Sequence, residues 1–277
     1  MLNINNHSRD SAGMTYVYPV LSRRAGGVSV GINLNVNNAC NWACVYCQVP
    51  DLSRGGPPPV DLDLLEAELG RFLKATTMED ELLRIAPPDS RRLADVAFSG
   101  NGEPTSAPEF AEAVDRVGRL LREFGLLEGV KIRLITNGSL MHRLAVQQGI
   151  ARIGALNGEV WFKLDRATEG EIERINGIRI APQKIRESLL LCSTLAPTWI
   201  QTCCFAIDGQ EINEAERSAY LALIESLKDK IKGVHLYGLA RPSMQPDAGR
   251  LSNLPPEHFR HLAESISALG IEVVANP

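Results

Sequence analysis

Three cysteines, Cys40, Cys44 and Cys47, stand within residues 37–50 (NNACNWACVYCQVP) at the spacing Cys-x3-Cys-x2-Cys. Three thiolates on one short loop can each hold one iron of a [4Fe–4S] cube, and full ligation by protein would need a fourth donor. No Cys or His occurs between Gln48 and Met141, so one iron keeps an open position, as catalytic metal sites do and closed structural sites do not. An open iron can chelate a small molecule carrying both an amine and a carboxylate. Two blander chemistries compete. A structural zinc wants four protein ligands in tight pairs, and the donors left to complete a set, His7, His142 and Cys192, do not resemble paired zinc spacing. A disulfide with one thiol left over fits poorly with a cytosolic chain.

Such residues need a scaffold, and the apolar pattern supplies one. Residues 27–34 (GVSVGINL) alternate apolar with small or polar residues, as a short strand does, and the cysteine loop follows directly. Residues 51–60 form a Gly/Pro-rich connector. Asp61 stands ahead of a helical run to about Leu73, with Leu62, Leu65, Leu69 and Phe72 three to four apart. Further strands are expected at 93–98, 130–135, 159–164, 199–207, 234–239 and, briefly, 272–275. Helices are expected at 108–124, 140–150, near 169–175 and 182–192, and at 211–230 and 256–269. Strands alternating with helices imply a parallel sheet covered by helices. About six strands before the last helix are too few for a closed eight-stranded barrel. The expected fold is therefore α/β: a partial (β/α)6 barrel of parallel strands with helices outside and the cluster loop after the first strand. One domain over 1–277 is the economical reading, with an N-terminal extension to residue 26, a core over 27–250 and a C-terminal helix and strand over 251–277.

Ligands of parallel α/β folds collect at the carboxyl ends of the strands, and each chemistry-bearing motif falls there. Residues 99–105 (SGNGEPT) follow the second strand, Thr136-Asn137-Gly138 the third, Asp165 the fourth, Asp208 the fifth, and residues 237–242 (YGLARP) close the sixth. Gly100 and Gly102 permit close backbone approach, Glu103 adds a carboxylate, and Pro104 stiffens the turn; together they suit an ammonium group, the competing reading being an ordinary Gly/Pro turn. Thr136 and Asn137 offer a hydroxyl and an amide, or a turn in which Ser139 caps a helix from Leu140. Lys163 and Asp165 share one side of a strand, so both could line the barrel interior or pair with each other. An inward Lys163 would have its pKa depressed by burial; an outward, solvated Lys163 is the alternative. Arg241 could hold a carboxylate or phosphate bidentately. Cys192, Cys203 and Cys204 are assigned to the core, because adjacent cysteines on a strand point to opposite faces and free cysteine is commonly buried. Arg23-Arg24 reads as solvated charge rather than a phosphate patch.

Composition excludes little but points one way. The chain has 277 residues, 44% of them apolar and 22% charged, ordinary for a soluble globular protein. A net charge of −4 gives no electrostatic footprint for nucleic acid. The polar N-terminus lacks the apolar segment of a secretory signal, and no stretch approaches 18 apolar residues, so no membrane span and a cytoplasmic location are expected.

The cysteine triplet, with the aromatic Tyr46 just before its last member, resembles the signature of the radical S-adenosylmethionine (SAM) superfamily. Gly102-Glu103-Pro104 resembles the Gly-Gly-Glu-Pro segment of those enzymes, with Asn101 in place of its first Gly. With Lys163-Leu164-Asp165, Arg174-Ile175-Asn176 and residues 237–241 (YGLAR), the chain looks like a short member of the group that includes the wyosine-base synthases. That resemblance implies a [4Fe–4S] cluster on Cys40, Cys44 and Cys47 with S-adenosyl-L-methionine on its open iron. Cofactor contacts would come from Tyr46, Asn101, Gly102, Glu103, Pro104, Thr136, Asn137 and Arg241. Reductive cleavage would yield a 5′-deoxyadenosyl radical that abstracts hydrogen from a substrate entering near Lys163, Asp165 and Arg241, with flavodoxin or ferredoxin as electron donor. The wyosine-base synthases act on tRNA and carry a second cluster on upstream cysteines, plus basic segments. This chain has no cysteine before Cys40 and is acidic, so a small-molecule or peptide substrate is expected and tRNA is disfavoured. The residues before Cys40 do not resemble a glycyl-radical-enzyme activase. A non-catalytic metal-binding or redox-sensing protein is the alternative from another class.

Overall fold

The computed structural model describes residue 2 and residues 13–22, 25–78 and 81–277. His7, Arg23 and Arg24, and with them most of the N-terminal extension, lie outside the described residues.

Eight strands form one sheet in chain order: β1 (Val17–Ser22), β2 (Gly27–Ile32), β3 (Leu93–Phe98), β4 (Lys131–Thr136), β5 (Glu159–Lys163), β6 (Thr198–Cys203), β7 (Gly233–Tyr237) and β8 (Val273–Asn276). β1 runs antiparallel to β2, and every later neighbour is parallel. The sheet is a curled half-barrel, the partial barrel that the strand–helix alternation predicts. β1 is an addition to that expectation. Pro19 in its middle argues against a central strand, and β1 is an edge strand, where the missing N–H costs no ladder bond.

Alternation sorts each strand between two faces. Val28, Val30, Val96, Phe98, Ile132, Leu134, Val160, Phe162, Ile200, Val234 and Leu236 face the helices in one apolar core. It includes Leu65, Leu69 and Leu73 of the helix Leu62–Met78 and Val114, Val117 and Leu121 of the helix Phe110–Glu123. Burying each such side chain contributes roughly 1.5–3 kcal/mol. Asp61 caps the first of these helices, its Oδ1 accepting from Leu64 N at 2.9 Å. The intervening strand residues, among them Ser29, Asp95, Arg133, Trp161, Lys163, Gln201 and Tyr237, line the opposite, concave face.

Several boundaries differ from the pattern, among them the ends of the helices Leu62–Met78 and Glu214–Glu225, and two of the differences have a local cause. The helix expected from Leu140 begins at Leu144: Asn137 Oδ1 accepts from Ser139 N (3.0 Å) and Oγ (2.6 Å), a local turn that leaves Ser139 no capping role. The strand expected over 199–207 stops at Cys203, and Ala206–Ile207 instead pairs antiparallel with Leu251–Ser252.

Candidate active site

Cys40, Cys44 and Cys47 are free, half-buried and set around one cavity of about 320 Å3 that runs along the concave face. That size suits a small-molecule site. Among the described residues no three His, Cys, Asp or Glu side chains gather to hold a metal ion. Zinc asks for ligands converging on one point, whereas a cubane takes one thiolate at each of several corners; three thiols spread over a cavity wall fit the cubane. Burial pushes the Cys40 thiol up to about 11 and the Cys44 thiol to about 12, so a bound metal's charge is what would hold them as thiolates. Residue 7 lies outside the described residues, His142 is exposed and Cys192 is buried in the core, so neither of the latter two serves the loop.

Asparagines shape the loop. Asn33 Oδ1 accepts from Asn35 N and Asn101 N, at 3.2 and 3.1 Å, tying the end of β2 to the turn after β3. Asn35 Nδ2 donates to Ala39 O (3.0 Å) and Ser106 Oγ (3.2 Å). Asn101 Nδ2 donates to Asn38 Oδ1 at 2.7 Å, and Asn137 Nδ2 to Asn41 Oδ1 at 2.9 Å. Gly102 is pressed so close that an added Cβ would lie 2.1 Å from Ala39 O, a close approach that only glycine allows.

Glu103 is 3% exposed and accepts four hydrogen bonds: Thr105 N (3.2 Å), Thr105 Oγ1 (2.6 Å), Thr136 Oγ1 (2.6 Å) and Asn137 N (2.7 Å). Burial raises its pKa above the usual carboxylate range despite those donors. Its carboxylate joins the ends of β3 and β4. Asn101, Gly102, Glu103 and Asn137 line the cavity; Pro104 and Thr136 stand behind them, Thr136 Oγ1 also accepting from Gly138 N at 3.0 Å.

On the far side, Asp165 accepts from Asn176 Nδ2 (2.9 Å), Cys203 N (3.0 Å) and Tyr46 OH. It is 4% exposed, and its carboxylate is spent on holding the wall rather than lining the main cavity. Lys163 does line it, donating to Tyr237 OH at 3.0 Å and lying 4.8 Å from the Tyr46 ring centre, so it pairs with Tyr237 rather than Asp165. Its pKa departs from the sequence expectation. Burial pulls it down, but the Tyr237 hydroxyl, the Asp165 carboxylate and the Cys44 sulfur together raise it above the ordinary lysine value. Tyr46 packs on Phe205 at 5.4 Å between ring centres.

A distant segment closes the loop. Ser243 Oγ donates to Val45 O (2.7 Å) and Cys47 O (3.1 Å), and Gln245 Nε2 to Val49 O (2.8 Å). Arg241 lines the cavity with its guanidinium Nε on Gln48 Oε1 at 2.9 Å. Ser243, Gln245 and Gln48 carry no motif that sequence reading could find. The asparagines left a signal, five of the nine residues 33–41. Cys203 and Cys204 are buried in two separate apolar clusters, as their opposite facings predict.

Residues 34–157 match the family model described as the Radical SAM superfamily. That match runs from the cysteine loop through the helix Leu144–Ala155. Members of that superfamily use a [4Fe–4S] cluster and SAM, the pair that the thiols and cavity above accommodate. Two UPF0026 proteins of Helicobacter pylori are similar to the chain. That of strain 26695 is 26% identical over 227 residues, 81% of this chain and 66% of that protein. That of strain J99 is 28% identical over 159 residues, 57% of this chain and 44% of that protein. The chain thus spans about half to two thirds of the length of these relatives. Its fold is similar to that of anSMEcpe, a histidine-tagged protein with bound AdoMet, at a TM-score of 0.52 and 15% identity, covering 88% of this chain and 63% of that one. Among the described residues no helix is long and apolar enough to cross a membrane.

Proposed function

We propose that this chain is a radical SAM enzyme that holds a [4Fe–4S] cluster on Cys40, Cys44 and Cys47 and acts on a small-molecule or peptide substrate. The observation that carries the reading is the set of three free thiols, Cys40, Cys44 and Cys47, that one short loop brings to the wall of a single cavity; Cys203, which also lines it, comes from β6 and is buried with Tyr46 and Phe205 in an apolar cluster. When bound, the cluster and SAM supply a reductively generated 5′-deoxyadenosyl radical that abstracts hydrogen. The protein's part is placement. Asn101, Gly102 and Asn137 offer polar groups at the cavity rim. Tyr46, pinned by Asp165 and packed on Phe205, shields one side from water. Of the three cationic side chains lining the cavity, Arg133 is paired with Asp95 and Glu159, and Lys163 and Arg241 are the ones for an acidic or carbonyl group of the substrate.

Anaerobic reconstitution should give iron with matching labile sulfide, a broad visible absorbance and, with dithionite and SAM, 5′-deoxyadenosine. The Cys44→Ala variant should form none; product from that variant, or zinc without sulfide in the wild type, overturns the reading. For the substrate class, a gel shift with bulk tRNA over a salt series should show no steep salt-dependent binding; tight binding would move the proposal to tRNA modification.

A further inference from the structure

The helix Glu169–Asn176 ends against the cysteine loop, and its last residue touches a cluster ligand. Ile175 O and Asn176 O accept from Val45 N (2.9 Å) and Ala43 N (3.0 Å), the residues on either side of Cys44. Gly177, with φ +64°, turns the chain away where an added Cβ would come 2.9 Å from Ala43 O. That docking leaves the Asn176 side chain, 2% exposed, beside Cys44, with Nδ2 3.3 Å from Sγ and 2.9 Å from Asp165 Oδ2. An ionised carboxylate only accepts, so Asp165 fixes which end of the amide is the NH2. One amide hydrogen then goes to the carboxylate and the other to the sulfur. Asp165 is itself held by Tyr46 OH and Cys203 N, so the amide has little freedom to turn away.

We propose that Asn176 is a positioning residue that sets the redox poise of the cluster through an N–H···S hydrogen bond to Cys44, with Asp165 fixing the direction of its amide. Hydrogen bonds to cluster sulfurs are among the features that set reduction potential. A donor at the sulfur favours the more electron-rich, reduced cluster, so Asn176 makes reduction easier. The inference rests on the cluster assignment above and adds a role for a residue that binds neither iron nor substrate.

The test is a potentiometric titration of the reconstituted full-length chain, followed by EPR, comparing wild type with Asn176→Leu, which keeps similar bulk and loses the donor. The expected result is a fall of about tenfold in the reduced-to-oxidised ratio at a fixed potential, a shift of ~59 mV for one electron. An unchanged midpoint in a loaded leucine variant overturns the proposal while leaving the enzyme reading intact; a wild type that loads no cluster overturns the enzyme reading instead. Should the leucine variant fail to hold a cluster, wild-type protein grown with 15N-asparagine decides. A weak 15N coupling should appear in pulsed EPR of the reduced cluster and should vanish in Asn176→Ser, and a wild type without it refutes the hydrogen bond.

Discussion

The two faces of the one sheet are stabilised in opposite ways. On the convex face, Val28, Phe98, Leu134, Phe162 and Ile200 belong to a single apolar core shared with the helices, and the stabilising effect is spread over many non-directional contacts. On the concave face, most of the order rests on individual directional bonds: Arg133 between Asp95 and Glu159, Glu103 under four donors, Asp165 under three. His235 stands between Trp161 and Trp199, with ring centres 4.6 Å from each, an aromatic seam within the polar wall. A core tolerates substitutions that keep volume. A buried polar network does not, because removing one member leaves its partners unsatisfied.

The largest expected effect is on the convex side. Phe98→Ala removes a fully buried ring that sits 5.7 Å, edge-on, from Phe110, and should cost about 3–5 kcal/mol in urea or guanidinium unfolding. The contrast with the concave face sharpens if this variant, once stabilised by cold or osmolyte, still loads iron. Asp165→Ala should cost about 1–3 kcal/mol through its stranded partners and, unlike Phe98→Ala, should lower cluster content even under conditions where the chain is fully folded. Equal cluster content in the two variants, at matched folded fraction, would break the comparison. Glu103→Gln keeps the shape but aims an NH2 at existing donors, with a predicted loss of about 1–2 kcal/mol; its cluster content should fall less than that of Asp165→Ala, because Glu103 holds the turn and not the cysteine loop. Ile132→Val on the convex face should cost about 0.5–1.5 kcal/mol and leave iron loading unchanged.

The smallest effect lies outside both faces. The Arg250 guanidinium on Asp208, at 2.7 Å, holds that carboxyl below its usual value. A depressed folded-state pKa contributes stability above the unfolded value, near 4, that is lost as pH falls through the folded value. Asp208→Asn should remove that acid-side slope from the unfolding midpoint while leaving the neutral-pH midpoint almost unchanged, as befits an exposed pair.

The same contrast explains what could be read in the sequence. Strand alternation and helical spacing are statements about the apolar face, and they locate every parallel strand of the eight-stranded sheet, from Val28 and Val30 through Val234 and Leu236; the short parallel pair Ala39–Cys40 and Ser53–Arg54, the latter inside the expected connector, carries no such pattern. The three cysteines and the Gly102-Glu103 turn were legible because their chemistry is written in residue type and spacing. Directional networks are not. Nothing in the residue Asn176 announces a bond to Cys44, 132 positions away, and the sign of the Lys163 shift depends on Tyr237, 74 positions away. Burial alone points the wrong way there because the neighbours that offset it, Tyr237, Asp165 and Cys44, are brought together by the fold. The helix start at Leu144 was missed for a local version of the same reason: Asn137 spends its side chain on its own turn.

The bonds from Ser243 and Gln245 to the cysteine loop carry a temporal implication. They join groups 196 to 198 positions apart, so a chain emerging from the ribosome presents all three thiols long before the residues that fasten Val45, Cys47 and Val49. At ordinary synthesis speeds that interval is on the order of 10–40 s. During it the cysteines are tethered to a growing sheet with one flank unfastened. Metal delivered in that window meets a more open binding loop than metal delivered to the finished protein.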